Sequence, residues 1–165
     1  MQKNEAMQIS ETITYHSPIG IIEITGTNDF ISAIHIHDGE MRFPEYSHLL
    51  EINKCKQQLF EYFHFKRTSF DLNLKELKGT EFQRNVWKAL RTIPFGQTSS
   101  YGEIAGKIGN PKASRAVGMA NNKNPILIVT PCHRVIGATG KMVGFGGGIW
   151  RKEYLLGLEK ENNVF

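Results

Sequence analysis

The sequence predicts an α/β protein of two parts, a small N-terminal region built on a sheet and a mainly α-helical C-terminal region. Alternating apolar residues dominate the first forty positions, whereas apolar residues at three- and four-residue spacing dominate most of the remainder. Charge divides the chain as well, because residues 1–79 hold 8 Lys and Arg against 11 Asp and Glu, and residues 80–165 hold 12 against 5. We therefore expect two domains, 1–79 and 80–165, within the 165 residues.

Three short segments predict an antiparallel sheet at the start of the chain. Residues 9–16, 20–26 and 30–37 alternate apolar and polar side chains, and turn-forming residues separate them. His35 and His37 would share one strand face. Two histidines on one face can contribute to a metal site, but no third ligand lies nearby in sequence, so an exposed strand face is the favoured interpretation.

An amphipathic helix is predicted from Ser47 to His64, and residues 68–73 are a candidate for one more strand. The apolar stripe of this helix consists of Leu49, Ile52, Cys55, Leu59 and Phe63. A free cysteine on such a stripe normally packs as a small hydrophobic residue. We expect Cys55 to be structural.

The C-terminal region opens with a helix that is capped by Thr80 and runs to Ile93. A capping box from Ser100 to Glu103 then predicts a short helix to about Ile108. The apolar pattern around the two tryptophans of this region, Trp87 and Trp150, indicates that both lie in the core.

Asn110 and Pro111 predict the start of the next helix, which would complete a helix-turn-helix with the short helix before it. Arg115 is its long basic residue among small ones, which are Ala113, Ser114, Ala116, Gly118 and Ala120. Small residues allow a backbone to approach a DNA groove closely, although they also allow tight packing in a core. The position of this helix within a basic region favours DNA.

That basic region has no acidic residue between Glu103 and Glu153. The cations inside it or at its end are Lys107, Lys112, Arg115, Lys123, Arg134, Lys141, Arg151 and Lys152. A polyanion such as nucleic acid is the first candidate for a partner, and a solvated basic surface is the alternative.

The segment 124–137, NPILIVTPCHRVIG, carries the most specific chemical signal. A short apolar run delivers Cys132 between Pro131 and His133, where a thiol is held beside a candidate base. Cys55 and Cys132 are the two cysteines, with no CxxC pair and no metal-ligand spacing, so two free thiols in a reducing compartment are expected. The N-terminal residues lack the apolar core of a signal peptide and no run is long enough to span a membrane, so we expect a cytoplasmic protein.

The PCHR tetrapeptide resembles the acceptor motif of the O6-alkylguanine-DNA alkyltransferases. SYGEIA, RAVG, NP and KEYLLGLE follow the same family pattern at matching spacing across residues 80–160. The resemblance implies a ribonuclease-H-like α/β N-terminal domain and a mainly helical C-terminal domain with a winged-helix-like helix-turn-helix. It further implies a monomer that binds double-stranded DNA, with cooperative binding left open, and that needs neither cofactor nor metal.

The resemblance also implies the reaction. The methyl group of O6-methylguanine, and also of O4-methylthymine, would pass irreversibly from a flipped base to Cys132, once per molecule. His133, acting through a water molecule, would keep the thiol ionised, and Glu159 would orient His133. Tyr101 would face the guanine and help protonate it, and Asn124 would brace the loop before the thiol.

The remaining roles concern DNA and the pocket. Arg115 would fill the gap left in the duplex, and further DNA contacts would come from Lys112, Ala113, Ser114, Gly118, Lys123 and Arg134. Val135, Phe145, Gly146 and Gly147 would line the substrate pocket. Many relatives have tyrosine and serine where this chain has Phe145 and Gly146, so the contacts of this loop would come from its backbone.

Two other classes of function are compatible with the residues alone. One is a cysteine hydrolase that uses Cys132 and His133, although neighbours in sequence rarely have that geometry and no protease signature is present. The other is a non-catalytic helix-turn-helix protein in which Cys132 is merely buried.

Overall fold

The computed structural model describes residues 8–163, and the chain divides into two compact units between Lys75 and Glu76. The division lies just ahead of residue 79, where the charge balance changes. No helix within residues 8–163 is both long enough and apolar enough to cross a membrane.

The first unit contains the predicted antiparallel sheet, with strands β1 (Glu11–Ser17), β2 (Gly20–Gly26) and β3 (Ile31–His37) in the order β1-β2-β3. Helix α1 (Leu50–Phe63) packs against this sheet, over a face rich in buried isoleucine. On β3, His35 is exposed and the Nε2 atom of His37 lies 2.8 Å from a carboxylate oxygen of Glu23. No group of three potential metal ligands occurs in the described part of the chain.

The predicted strand at 68–73 is wrong. Its backbone is bonded instead by Gln58 of α1, which accepts from the N–H of Asp71 at 2.9 Å and donates to its carbonyl at 3.0 Å. Only the next residue, Leu74, forms a parallel bridge with Ile31. The predicted start of α1 was also early, because the helix begins at Leu50 rather than Ser47.

In its described part, residues 76–163, the second unit contains four helices, α2 (Glu81–Leu90), α3 (Tyr101–Lys107), α4 (Ser114–Asn122) and α5 (Ile149–Glu161). Strands β4 (Ser99–Ser100) and β5 (Val135–Ile136) form a short parallel pair, and a 3-10 turn spans Cys132–Arg134. Both predicted N-caps are present as reciprocal capping boxes, Thr80 with Gln83 and Ser100 with Glu103.

Helices α3 and α4 form the predicted helix-turn-helix, but α4 begins at Ser114 and not at Asn110 and Pro111. The carbonyl of Asn110 accepts from the N–H of Ala113 at 3.0 Å, so these residues form a separate turn. One face of α4 is buried against α2, where the indole N–H of Trp87 donates to the carbonyl of Ala120 at 2.8 Å. The opposite face of α4 is exposed.

Candidate active site

A tight turn immediately before the acceptor motif fixes where the thiol lies. The short apolar run before the motif forms a buried turn, in which the N–H of Val129 donates to the carbonyl of Leu127 at 2.8 Å. Ile128, between them, has φ 70, as in the rare γ-turn. The N–H of Thr130 also donates to the carbonyl of Ile126 at 3.0 Å. The turn therefore closes twice within five residues.

Cys132 is 1% exposed at the start of the 3-10 turn. Burial raises the pKa of its thiol to about 11, although a hydrogen bond from the Asn124 side chain and the ammonium of Lys152 act in the opposite direction. This burial opposes the ionised thiol that was expected from His133, and the role of His133 as the base stays a prediction. The thiol is protonated near neutral pH because desolvation outweighs its polar neighbours.

The carboxylate of Glu159 accepts hydrogen bonds from several groups next to Cys132. Its Oε1 atom lies 2.7 Å from Nε2 of His133, so the hydrogen bond predicted between these two residues is present. Both carboxylate oxygens also accept from the guanidinium of Arg134 at 2.9 Å, and Oε2 accepts from the N–H of Gly96 at 3.3 Å. Glu159 is completely buried.

Arg134 is not a DNA-binding residue, contrary to the sequence prediction. Its side chain is buried, and its Nη1 atom donates to the carbonyl of Ile93 at 2.7 Å. The two-pronged contact with Glu159 directs the guanidinium into the protein, because a buried carboxylate needs a positive partner.

The pKa values of the buried pair follow from this arrangement. Burial lowers the pKa of His133, and the charges of Arg134 and Lys152 lower it further against the opposing pull of Glu159. Burial alone would raise the pKa of Glu159, but His133 and Arg134 hold it well below its usual range. His133 is therefore neutral and Glu159 ionised at pH 7. The Nδ1 atom of His133 has no hydrogen-bond partner among residues 8–163.

Tyr101 and Lys152 meet at one carbonyl. The hydroxyl of Tyr101 donates to the carbonyl of Val143 at 3.0 Å, and Nζ of Lys152 donates to the same oxygen at 3.1 Å. Lys152 is completely buried, and it also donates to the carbonyl of Val135 at 2.5 Å. Burial raises the pKa of Tyr101, and Cys132 raises it further when its thiol is ionised, so the hydroxyl of Tyr101 stays protonated.

The brace expected of Asn124 has its contacts in place. Its Nδ2 atom donates to the carbonyl of Thr130 at 2.7 Å, and its Oδ1 atom accepts from the N–H of Ile126 at 3.0 Å. The first bond spans the γ-turn, and the second holds the backbone just before it. Together with the contact to Cys132, they tie the turn to the thiol.

The predicted pocket residues lie in β5 and in the pocket loop, residues 137–148. Val135 and Phe145 are buried. A Cβ at Gly147 would come within 2.7 Å of the Phe145 ring, so a larger residue there would displace that ring. A side chain at Gly146 would meet only the carbonyl of Asn122 at 3.8 Å, an ordinary contact. Space therefore does not explain why Gly146 stands where many relatives have serine.

The exposed side of the helix-turn-helix presents the other predicted DNA contacts. Lys112, Arg115 and Lys123 are exposed, and Ala113, Ser114 and Gly118 are half-buried. Gly118 lies against the ring of Tyr101, where an added Cβ would be 3.7 Å from it. This face therefore connects the basic surface to the wall of the acceptor site.

Sequence reasoning missed two residues of this region. Lys152 was counted only as a surface cation, although its spacing of three and seven from Leu155 and Glu159 places it on the buried stripe of α5. Met119, which is 71% exposed one turn after Arg115, was not singled out. Exposed methionine on a helix otherwise rich in small residues was the available signal.

A helix-turn-helix backed by a buried thiol, a neutral histidine and an ionised carboxylate defines a DNA-binding type of domain that carries a nucleophilic cysteine. Sequence models of two domains of one protein family match this chain. The 6-O-methylguanine DNA methyltransferase ribonuclease-like domain matches residues 12–75, and the DNA binding domain of the same family matches residues 81–161.

Individual relatives agree over nearly the whole chain. The methylated-DNA–protein-cysteine methyltransferase of Mycolicibacterium paratuberculosis is 47% identical, covering 91% of this chain and 92% of the relative, and that of Methanosarcina acetivorans is also 47% identical, covering 88% and 95%. The crystal structure of Mycobacterium tuberculosis O6-methylguanine methyltransferase is 45% identical with a TM-score of 0.83, covering 93% and 94%. A second structure, the Mycobacterium tuberculosis protein in complex with DNA, is 46% identical with a TM-score of 0.83, covering 92% and 93%.

The chain belongs to the 6-O-methylguanine DNA methyltransferase family. The family predicted from the PCHR motif and the predicted fold class are thereby confirmed.

Proposed function

We propose that this protein repairs double-stranded DNA by moving the methyl group of O6-methylguanine onto Sγ of its own Cys132. The observation that carries the proposal is the surrounding of the buried Cys132. Asn124 and Lys152 lie at the thiol and favour its ionised form, and His133 beside it is hydrogen-bonded to Glu159. The family supplies the substrate, because its relatives are named methylated-DNA–protein-cysteine methyltransferases.

The reaction begins with removal of the thiol proton. The free Nδ1 side of neutral His133 accepts it through one bridging water, and ionised Glu159 stabilises the resulting imidazolium. The ammonium of Lys152 stabilises the negative charge that develops on sulfur. Activation at the moment of transfer suits a thiol whose pKa burial holds near 11.

The transfer is an SN2 displacement. The S–C bond forms as the C–O6 bond breaks, and the electron pair of the broken bond passes to the guanine. Tyr101 donates its hydroxyl proton to the base and regains one from the imidazolium, so the thiol hydrogen is replaced by methyl and guanine recovers its ring hydrogen. The thioether is stable, so each molecule acts once and no cofactor is needed.

DNA reaches this site through α4. Arg115 occupies the space left by the flipped base, and Lys112 and Lys123 contact phosphates. Met119 lies beside Arg115 on the exposed face and supplies an apolar wedge in the minor groove. The protein acts as a monomer in the cytoplasm, where a reducing environment keeps its acceptor thiol free.

Mass spectrometry of the intact protein tests the proposal directly. After incubation with a duplex containing O6-methylguanine, the wild type should gain the mass of one CH2 group, and peptide mapping should place it on Cys132. Cys132→Ala should gain nothing, whereas Cys55→Ala should react like the wild type. Tight binding of the duplex by the wild type with no added mass would overturn the proposal.

A further inference from the structure

Arg91 joins the end of α2 to the backbone turn that precedes the acceptor. It is the residue that follows α2, and its Nη1 atom donates to Oε1 of Glu76 at 2.7 Å and to Oγ1 of Thr130 at 2.9 Å. An NH2 group of a guanidinium carries two hydrogens, so one nitrogen serves both oxygens. Thr130 lies 39 residues further along the chain, just ahead of Pro131 and Cys132.

This contact satisfies a hydroxyl that has no access to water. Thr130 is 0% exposed, whereas the side chain of Arg91 is 30% exposed and reaches the hydroxyl from the surface. A buried polar group without a partner destabilises the folded protein, so the donor at this position has a defined task. The carboxylate of Glu76 balances the charge of the guanidinium and orients it. The ion pair therefore holds a hydrogen-bond donor against the Thr130 side chain.

The backbone of Thr130 is where the hydrogen bonds of the acceptor turn converge. Its carbonyl accepts from Nδ2 of Asn124 at 2.7 Å and from the N–H of Cys132 at 2.9 Å, and its N–H donates to the carbonyl of Ile126 at 3.0 Å. These three bonds connect parts of the turn to one another. The bond from Arg91 connects the same residue to α2, so it fixes the turn that carries the thiol relative to that helix.

We infer that Arg91 is a positioning residue for methyl transfer, acting on Cys132 through the hydroxyl of Thr130. This inference rests on the proposed function. In an SN2 displacement the sulfur must approach the methyl carbon in line with the C–O6 bond that breaks, and a displacement of about 1 Å can slow such a reaction about a hundredfold. Without the bond from Arg91 the turn shifts against α2, and the thiol meets the methyl group at a poorer angle.

Two single substitutions and their combination test this route. Arg91→Met removes the donor, and Thr130→Val removes the acceptor oxygen at nearly constant size. Single-turnover transfer rates are measured at saturating concentrations of a duplex that contains O6-methylguanine, and the Kd for that duplex is measured separately. Each single variant should react about tenfold more slowly than the wild type, with little change in Kd. The double variant should be no slower than either single one, because both remove the same hydrogen bond.

A matched arginine and the pH profile separate this role from a general loss of stability. Arg67 also donates to a carboxylate, that of Glu61 at 2.9 Å, and to a carbonyl, that of Ser69 at 3.0 Å, but it belongs to the first unit. Arg67→Met should therefore react at the wild-type rate. In Arg91→Met the rate should increase over the same pH range as in the wild type and reach a lower plateau, because the thiol has moved and its ionisation has not changed.

Hydrogen exchange followed by mass spectrometry measures the turn itself. Peptides that cover residues 126–132 should exchange faster in Arg91→Met and in Thr130→Val than in the wild type, and at the wild-type rate in Arg67→Met. Thr130→Ser keeps the acceptor oxygen and should retain a transfer rate close to that of the wild type. Thermal melting of every variant shows which are folded, and Thr130→Ala replaces the valine variant if that one is not.

A wild-type transfer rate in folded Arg91→Met would overturn the inference. So would an equal loss when Arg91→Met is added to the wild type and to Thr130→Val, because the effect would then not pass through the hydroxyl. A pH profile shifted in Arg91→Met would mean that the arginine acts by its charge and not by position. If the wild type gained no methyl group from O6-methylguanine, the proposed function would fail and the role in transfer with it, whereas hydrogen exchange would still show whether Arg91 holds the turn.

Discussion

The two cysteines are equally buried and differ in everything else. Cys55 is 0% exposed in α1, where it packs as part of the apolar stripe, and burial raises its pKa strongly, with a further contribution from Glu51. Cys132 is 1% exposed, but a hydrogen bond from Asn124 and the ammonium of Lys152 moderate the increase in its pKa. Burial therefore does not identify an acceptor. The polar groups that surround the buried sulfur do.

The largest effect should come from removing the charge that holds this polar surround together. Glu159→Ala leaves the guanidinium of Arg134 buried without its carboxylate, and we expect the free energy of unfolding to fall by about 3–5 kcal/mol. Urea denaturation measures it. Asp71→Ala, which removes the exposed carboxylate that pairs with Lys54, is the control and should leave stability nearly unchanged. Similar losses in both variants would mean that the buried cluster is no more important than a surface ion pair.

Lys152→Met should weaken the acceptor while leaving its burial intact. Without the ammonium, the pKa of Cys132 rises further, and the methyl-transfer rate at pH 7 should fall about tenfold, the equivalent of one pKa unit. The rate measured from pH 6 to 10 should then increase only at higher pH than in the wild type. A wild-type pH profile in this variant would exclude an electrostatic role for Lys152.

The acceptor site should also make stability sensitive to acid. Burial holds the pKa of His133 below its ordinary value, so at low pH the unfolded chain binds a proton that the folded chain resists. This contribution is complete above about pH 6.5 and is lost as the pH falls, by up to about 1.4 kcal/mol per pH unit. The lowered pKa of Glu159 acts in the same direction at still lower pH.

Urea denaturation at several pH values between 7.5 and 5 measures this dependence. His133→Gln removes the titrating group, and its unfolding free energy should change less over that range. If wild type and variant lost stability in parallel, other groups would be responsible.

The smallest effect belongs to the other cysteine. Cys55→Ala removes a buried sulfur from an apolar contact and should cost about 1 kcal/mol of stability, because the sulfur behaves as a small hydrophobic group. The methyl-transfer rate should not change. A slower reaction in this variant would show that the first unit contributes to the chemistry. The conclusion that Cys55 is purely structural would then be wrong.

The sequence predicted those parts of the fold that local rules govern. The capping boxes at Thr80 and Ser100 require only residues three apart, so both were predicted correctly. The helix-turn-helix and the contact between His133 and Glu159 were available from motif spacing and family resemblance. What failed depended on distant partners. Gln58 of α1 bonds the backbone at Asp71, where a strand had been predicted.

Three basic or aromatic side chains show the same limit within the site region. Arg134 was predicted to contact DNA but is drawn inward by Glu159, which lies 25 residues further along the chain. Lys152 reaches backbone carbonyls that no spacing rule identifies. Trp150, predicted to be buried, is 49% exposed at the start of α5, with the guanidinium carbon of Arg151 4.5 Å from its ring centroid.

The γ-turn at Ile128 orients the thiol of Cys132 during folding, before DNA binds. A branched residue at positive φ is strained by roughly 1–3 kcal/mol, and that free energy is spent when the chain folds, before any DNA is present. The backbone that carries Cys132 then has little conformational entropy left to lose when a base enters. The loss of entropy that orients the thiol therefore occurs when the chain folds, and it does not have to be offset when damaged DNA binds.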